Sequence, residues 1–226
     1  LLGIGGTGIE PRPALIDDKA QGEGRDHRSR RRDIERQPHI LRAPAREFRF
    51  DPALFPGAVH HGGDLDALYA ATPEDAQPLF EMVSLIKTSM RRLETLGVPV
   101  VACIAGSALG GGWELALACH HRIMVRLDSA KVGLPEVTLG LLPGGGGTVR
   151  TVRAFGLERA LPLLTEGRRY SVDDALDLGL LHDVVDHEEE LWERATAWID
   201  AHPKVKQPWD ESGYRMPGGS PNSPRV

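Results

Sequence analysis

Two cysteines among 226 residues leave no basis for a disulfide framework. Cys103 stands in an apolar, strand-like run and Cys119 follows a helix-like one, so both read as buried thiols. Neither His60-His61 nor Cys119-His120-His121 has a second set of ligands at metal-binding spacing, and no metal is expected. Aromatic residues make up 5% of the chain, and none is interleaved with the basic run Arg28-Ser29-Arg30-Arg31-Arg32, which acidic residues surround. With a net charge of −5, that composition argues against nucleic-acid binding. Glycine or charge interrupts every apolar stretch before the roughly 20 residues that a membrane span needs. No basic-then-apolar signal opens the chain, so a cytoplasmic location is expected. An apolar content of 41% suits one soluble domain with a sizeable core.

Glycine, by contrast, is abundant and clustered. Gly3-Ile4-Gly5-Gly6-Thr7-Gly8 satisfies the dinucleotide-binding pattern, but two residues are too few for the strand it needs, and Pro11 and Pro13 oppose the helix. Gly144 to Gly147 lacks the Lys-Ser/Thr of a phosphate loop and reads as a turn onto a helix. The informative cluster is Gly110-Gly111-Gly112-Trp113-Glu114, followed 22 positions later by Glu136 in Leu134-Pro135-Glu136. At a helix start the first N–H groups lack intrahelical partners and carry partial positive charge. A glycine there can bring its N–H close to a ligand oxygen. Such a donor stabilises an oxyanion formed from a carbonyl, and a carboxylate within the same turn can move protons. Gly62-Gly63-Asp64-Leu65, just before a helical stretch, offers a second donor. Taken singly, Glu114 is also an ordinary first-turn carboxylate, and Glu136 an ordinary turn residue after Pro135. Their combination with Gly63, Gly111 and Gly144 points to acid/base chemistry on a carbonyl compound.

The elements around these motifs follow from local signals. Thr72, Pro73 and Asp75 form a helix start of the capping-box kind. Leu79, Met82, Val83, Ile86, Met90 and Leu93 then recur at helical spacing until Gly97 and Pro99. Residues 100–105 and 121–126 read as strands, and a helix opens near Glu114. Residues 148–155 and 158–164 read as helical, and Ser171 with Asp174 marks another capping box. A short edge strand is expected within 180–185. Residues 188–201 place Leu191, Ala195, Trp198 and Ile199 on one helical face. After His202 the Pro- and Gly-rich tail, residues 203–226, lacks apolar periodicity and reads as a linker.

Across about residues 62–202 the chain resembles the crotonase (enoyl-CoA hydratase/isomerase) family. The resemblance rests on four ordered motifs: Gly62-Gly63-Asp64-Leu65, 108–116, Gly133-Leu134-Pro135-Glu136 and 142–148. It implies an α/β crotonase-like ββα superhelix over 59–202 that acts on coenzyme A thioesters without metal or redox cofactor. By the same resemblance, N–H groups at Gly63 and Gly111 hold the thioester oxygen. Glu114 and Glu136 handle a water and the α-carbon proton, Gly144 helps to place that water, and Asp64 and Trp113 border the substrate. Two carboxylates favour hydration of trans-2-enoyl-CoA over double-bond isomerisation or dehydration, which stay open alongside an inactive fragment that only associates with partners. Family assemblies are trimers or pairs of trimers. Lys206-Gln207-Pro208-Trp209-Asp210 and Met216-Pro217-Gly218-Gly219 further resemble the segment leading out of multifunctional fatty-acid oxidation proteins. Those continue into an NAD-dependent 3-hydroxyacyl-CoA dehydrogenase and pair with a thiolase subunit, and the chain is expected to be a fragment of one.

Residues 1–58 fit this pattern badly. The run 21–36 is rich in arginine and acidic residues with almost no apolar face, so disorder is expected there. A shifted reading frame or a truncated gene model before about Val59 would account for the abrupt onset of the family likeness.

Overall fold

The computed structural model describes the backbone of residues 2–4 and the whole of residues 70–219. The remainder of the atypical 1–58 segment lies outside the described residues. A four-stranded sheet forms the centre of the described fold, in the order β1 (Leu2–Ile4), β2 (Val101–Ile104), β4 (His121–Val125) and β6 (Asp183–Val185). All its pairings are parallel, with Cys103 opposite Ile123 and Met124 opposite Val184. A second, two-stranded parallel sheet joins β3 (Ala108–Leu109) to β5 (Val132–Gly133). The strand at Leu2–Ile4 does not supply the preceding strand that a dinucleotide-binding motif at Gly3 needs. It contains Gly3 rather than preceding it.

Helices connect the strands. In chain order they are α1 (Ala76–Glu94), α2 (Gly111–Ala118), α3 (Gly147–Thr165), α4 (Val172–Asp177) and α5 (Glu189–Ala201). Before α1, a 3-10 turn at Pro73–Asp75 is fixed by Asp75, whose carboxylate accepts from both the N–H and the hydroxyl of Thr72 at 2.9 Å. The inward face of α1 runs through Val83, Ile86, Met90 and Leu93, whereas Met82, assigned to it from its spacing, is 47% exposed. Gly156 breaks the helical dihedrals of α3 with φ +79°, which divides α3 into the two helical runs that the sequence separates. At the start of α4 the Ser171 hydroxyl accepts from the Asp174 N–H, as its capping box predicts.

The core follows the parallel-sheet rule that both faces are covered, so β2 is a continuous apolar run and β4 is buried from Arg122 onward. On one face Val101, Cys103, Ile123, Val125 and Val185 pack with Leu191 and Ala195 of α5, joined by Trp198 and Ile199. Both cysteines are free and buried. Among the described residues no helix is long and apolar enough to cross a membrane.

The tail departs from its linker-like composition. Gln207 is buried and its Nε2 donates to the Ala118 carbonyl at 3.1 Å, at the end of α2. Asp210 accepts two bonds from Arg91, and the Tyr214 hydroxyl donates to the Arg153 carbonyl at 2.6 Å. Pro217 lies against Gly156, leaving no room for a side chain there. Residues 207–217 are therefore docked on the domain. Single anchor residues do this, and they leave no periodic signature in the sequence.

Candidate active site

The short β3 strand ends where the Gly110 N–H donates to the Gly133 carbonyl at 3.0 Å, which ties the start of α2 to the end of β5. Gly110 then turns with φ +55° and ψ −126°, a conformation that disfavours any side chain. Helix α2 begins at Gly111, so the Gly111 N–H has no intrahelical acceptor, and none accepts it among the described residues. Residues Gly112 to Ala118 are buried without interruption, as expected for a helix that is apolar all round. Glu114 is therefore a carboxylate inside the protein, only 4% exposed.

A buried carboxylate needs donors, and the second glycine loop supplies them. The Gly145 N–H donates to Glu114 Oε2 at 2.9 Å and the Gly147 N–H to Oε1 at 2.7 Å. Approach this close depends on missing side chains: a Cβ on Gly145 would stand 2.8 Å from Glu114 Oε2, and one on Gly147 2.9 Å from Glu114 Cγ. Burial raises the Glu114 carboxyl above its usual range, opposed by the N–H groups of Gly147 and Gly145 and by the Arg150 charge. Gly144, expected to carry a directing N–H, lies on the exposed side of this loop.

Glu136 approaches the start of α2 from the turn after β5. After β5, Pro135 opens a 3-10 turn over Pro135–Leu139, and Gly140, with φ +73°, closes it. Glu136 Oε1 lies 3.2 Å from the point where a Gly110 Cβ would be. The Glu136 carboxylate thus lies at the entry to α2, near enough to Glu114 in the first turn of that helix to feel its charge. Their environments differ, because Glu136 Oε2 is buried with no hydrogen-bond partner among the described residues. Burial, with the Glu114 charge as a further contribution, pushes the Glu136 carboxyl up to about 7.

Trp113 is 2% exposed and lines a small apolar cavity with Leu134, Thr151, Leu163, Tyr170 and Leu180. Gly63 and Asp64 lie outside the described residues, so Gly111 is the one expected oxyanion donor that can be placed. His120 is engaged structurally: its Nδ1 accepts from the Val100 N–H and its Nε2 faces the Glu94 carbonyl at 3.2 Å.

Sequence reasoning passed over Glu94 and Arg150. Both are buried, and Arg150 Nε donates to Glu94 Oε1 at 2.7 Å. In sequence, Glu94 ends an Arg-Arg-Leu-Glu stretch that looks like a solvated helix end. Arg150 sits beyond a glycine run with nothing to mark it as buried; the one available signal is its place in the first turn of the helix that the loop feeds.

Residues 55–207 match the enoyl-CoA hydratase/isomerase family. Over 125 residues the chain is 46% identical to the fatty acid oxidation complex subunit alpha of Shewanella loihica, a match covering 55% of this chain and 17% of that protein. It is 43% identical over 148 residues to the protein of the same name from Shewanella amazonensis, covering 65% of this chain and 20% of that one. The chain thus spans about a fifth or less of the length of these relatives. Among solved structures, an enoyl-CoA hydratase from Bacillus anthracis superposes with a TM-score of 0.56 at 40% identity, covering 63% of this chain and 53% of that one.

Proposed function

This chain belongs to the enoyl-CoA hydratase/isomerase family, and from that premise we propose that it hydrates trans-2-enoyl-CoA thioesters to 3-hydroxyacyl-CoA in fatty-acid oxidation. The observation that carries this reading is the convergence of Glu114 and Glu136 on one helix start in unlike surroundings. Hydration needs a group that takes a proton from water and another that gives one to the α-carbon. Environments that set two carboxyls apart allot those roles. Glu114, facing two N–H donors and near Arg150, is suited to the ionised state and to accepting the water proton. Glu136 has an oxygen without a partner among the described residues and a pKa pushed up to about 7, which suits it to hold the proton delivered to carbon.

As water adds at the β-carbon, negative charge moves onto the thioester oxygen. In this reading the Gly111 N–H, at the positive end of α2, receives it, and one such donor is worth about 3 to 4 kcal/mol of transition-state stabilisation. Two proton transfers and one stabilised oxyanion complete the reaction without a metal or a redox cofactor. The names of the Shewanella relatives support a place in a larger fatty acid oxidation complex. An NAD-dependent dehydrogenase region, a thiolase partner and a trimeric assembly belong to that wider proposal.

The test is loss of ultraviolet absorbance from crotonyl-CoA. Turnover by the parent chain is expected, with kcat lowered roughly 10²- to 10⁴-fold in both Glu114→Gln and Glu136→Gln. Conversion of a 3-enoyl-CoA with crotonyl-CoA untouched would replace hydration by isomerisation. A folded chain that turns over neither would refute catalysis.

A further inference from the structure

Glu94 is the last residue of α1 and is 4% exposed, a costly position for a carboxylate. Both of its oxygens are satisfied. Oε1 accepts from Arg150 Nε at 2.7 Å, and Oε2 accepts from Arg91 Nη1 at 2.8 Å. Arg150, itself 6% exposed, uses its other arm on the glycine loop, where Nη1 donates to the Gly145 carbonyl at 2.8 Å. Gly146 lies close against the guanidinium, since a Cβ there would stand 2.5 Å from Nη1. The next bond in the line is the Gly145 N–H to Glu114 Oε2.

A continuous series of directed contacts therefore runs from Glu94 through Arg150 and Gly145 to Glu114. It continues outward as well. Arg91 donates from Nη2 and Nη1 to the two oxygens of Asp210 at 2.6 and 2.8 Å, while neighbouring Gln207 bonds to the end of α2, the helix that carries Glu114. A buried ion pair is a poor device for stability, because apolar residues of the same volume do as well. What a guanidinium supplies is a planar fork that fixes two acceptors in one geometry. Four successive glycines have the greatest need of such a clamp, having the most backbone freedom to lose.

We propose that Arg150, oriented by Glu94, is a positioning residue for Glu114, and that the docked tail at Gln207–Asp210 forms the outer end of the same clamp. The assignment rests on the reading of Glu114 as the water-activating carboxylate. Charged groups acting on this site from the elements around it are Arg150 of α3 and Glu136 of the 3-10 turn, with Glu94 of α1 behind Arg150.

Two readouts test it on the whole chain. In steady-state hydration of crotonyl-CoA, Arg150→Lys keeps the charge without the fork, and a misplaced carboxylate is expected to lower kcat about 100-fold with KM within about twofold. Arg150→Gln also removes the charge, so the acid limb of its kcat profile moves to higher pH, whereas that of Arg150→Lys stays in place. The second readout is amide hydrogen exchange at Gly145 and Gly147, which needs no turnover. It is expected to accelerate about tenfold in Arg150→Lys and about threefold in Asp210→Asn, a surface change that spares the core. Failure of the parent to hydrate crotonyl-CoA would sink the functional reading and leave the exchange data to judge the clamp. Unchanged Gly145 and Gly147 exchange in Arg150→Lys would overturn the clamp even in an active enzyme, and unchanged exchange in Asp210→Asn would remove the tail from it. A kcat loss matched by an equal rise in KM, with no difference between the Lys and Gln acid limbs, would also contradict the assignment.

Discussion

The glycine loop at 144–147 and the 3-10 turn at 135–139 each meet one glutamate at the start of α2, and they treat it in opposite ways. The loop gives Glu114 an N–H donor for each oxygen and sets a guanidinium behind them. The turn leaves one oxygen of Glu136 buried and without a partner among the described residues. Two residues of identical chemistry thereby meet different surroundings: burial raises both carboxyls, and at Glu114 the loop amides and the Arg150 charge oppose it. On the proposed reading, the unequal roles of the two carboxyls are a property of loop conformation.

The comparison breaks most readily on the loop side. Gly145→Ala places a methyl group 2.8 Å from Glu114 Oε2 and 3.1 Å from Met90 Cε, so the carboxylate has to move. Because Gly145 does not have a positive φ, contact alone causes the damage. A kcat loss of about 100-fold with modest change in KM is expected, measured with crotonyl-CoA. On the turn side, Gly110→Ala combines a positive φ with a methyl group 3.2 Å from Glu136 Oε1. Denaturant unfolding is expected to register a loss of about 1 to 3 kcal/mol.

Much of this arrangement is legible in the sequence, and the reasons are local. The glycines before Glu114, the proline before Glu136 and the capping signals at Thr72 and Ser171 each act within one turn of chain, so their placement follows from nearby residues. Arg150 and Glu94 are 56 positions apart, and only tertiary packing makes them partners. The same holds for the loop donors: a run of four glycines announces available N–H groups, but which of them turn toward Glu114 depends on how Arg150 grips the loop. The tail is held by Gln207, Asp210, Tyr214 and Pro217 singly. Where packing depends on isolated anchors, hydrophobic periodicity carries no information about it.

A smaller effect sharpens the contrast through pH. Glu136 is raised to about 7 in the folded protein from an ordinary value of 4.5, so the native state holds the proton more tightly than the unfolded chain. This contribution to stability is fully present below pH 4.5 and is lost as pH rises through about 7. Glu136→Gln does not titrate. Between pH 5 and pH 8 it should gain about 1 kcal/mol on the parent in denaturant midpoints, a figure reduced for solvent screening of a half-buried group. A constant difference across that range would place Glu136 in water.

The convergence of the two carboxyls is most directly tested by following the carboxyl carbon of Glu136 through a pH titration by NMR, in the parent and in Glu114→Gln. A midpoint near 7 is expected in the parent, falling in the variant as the like charge of Glu114 is removed. A midpoint in the ordinary carboxylate range that Glu114→Gln leaves unmoved would contradict the account, since the two groups would then share no site.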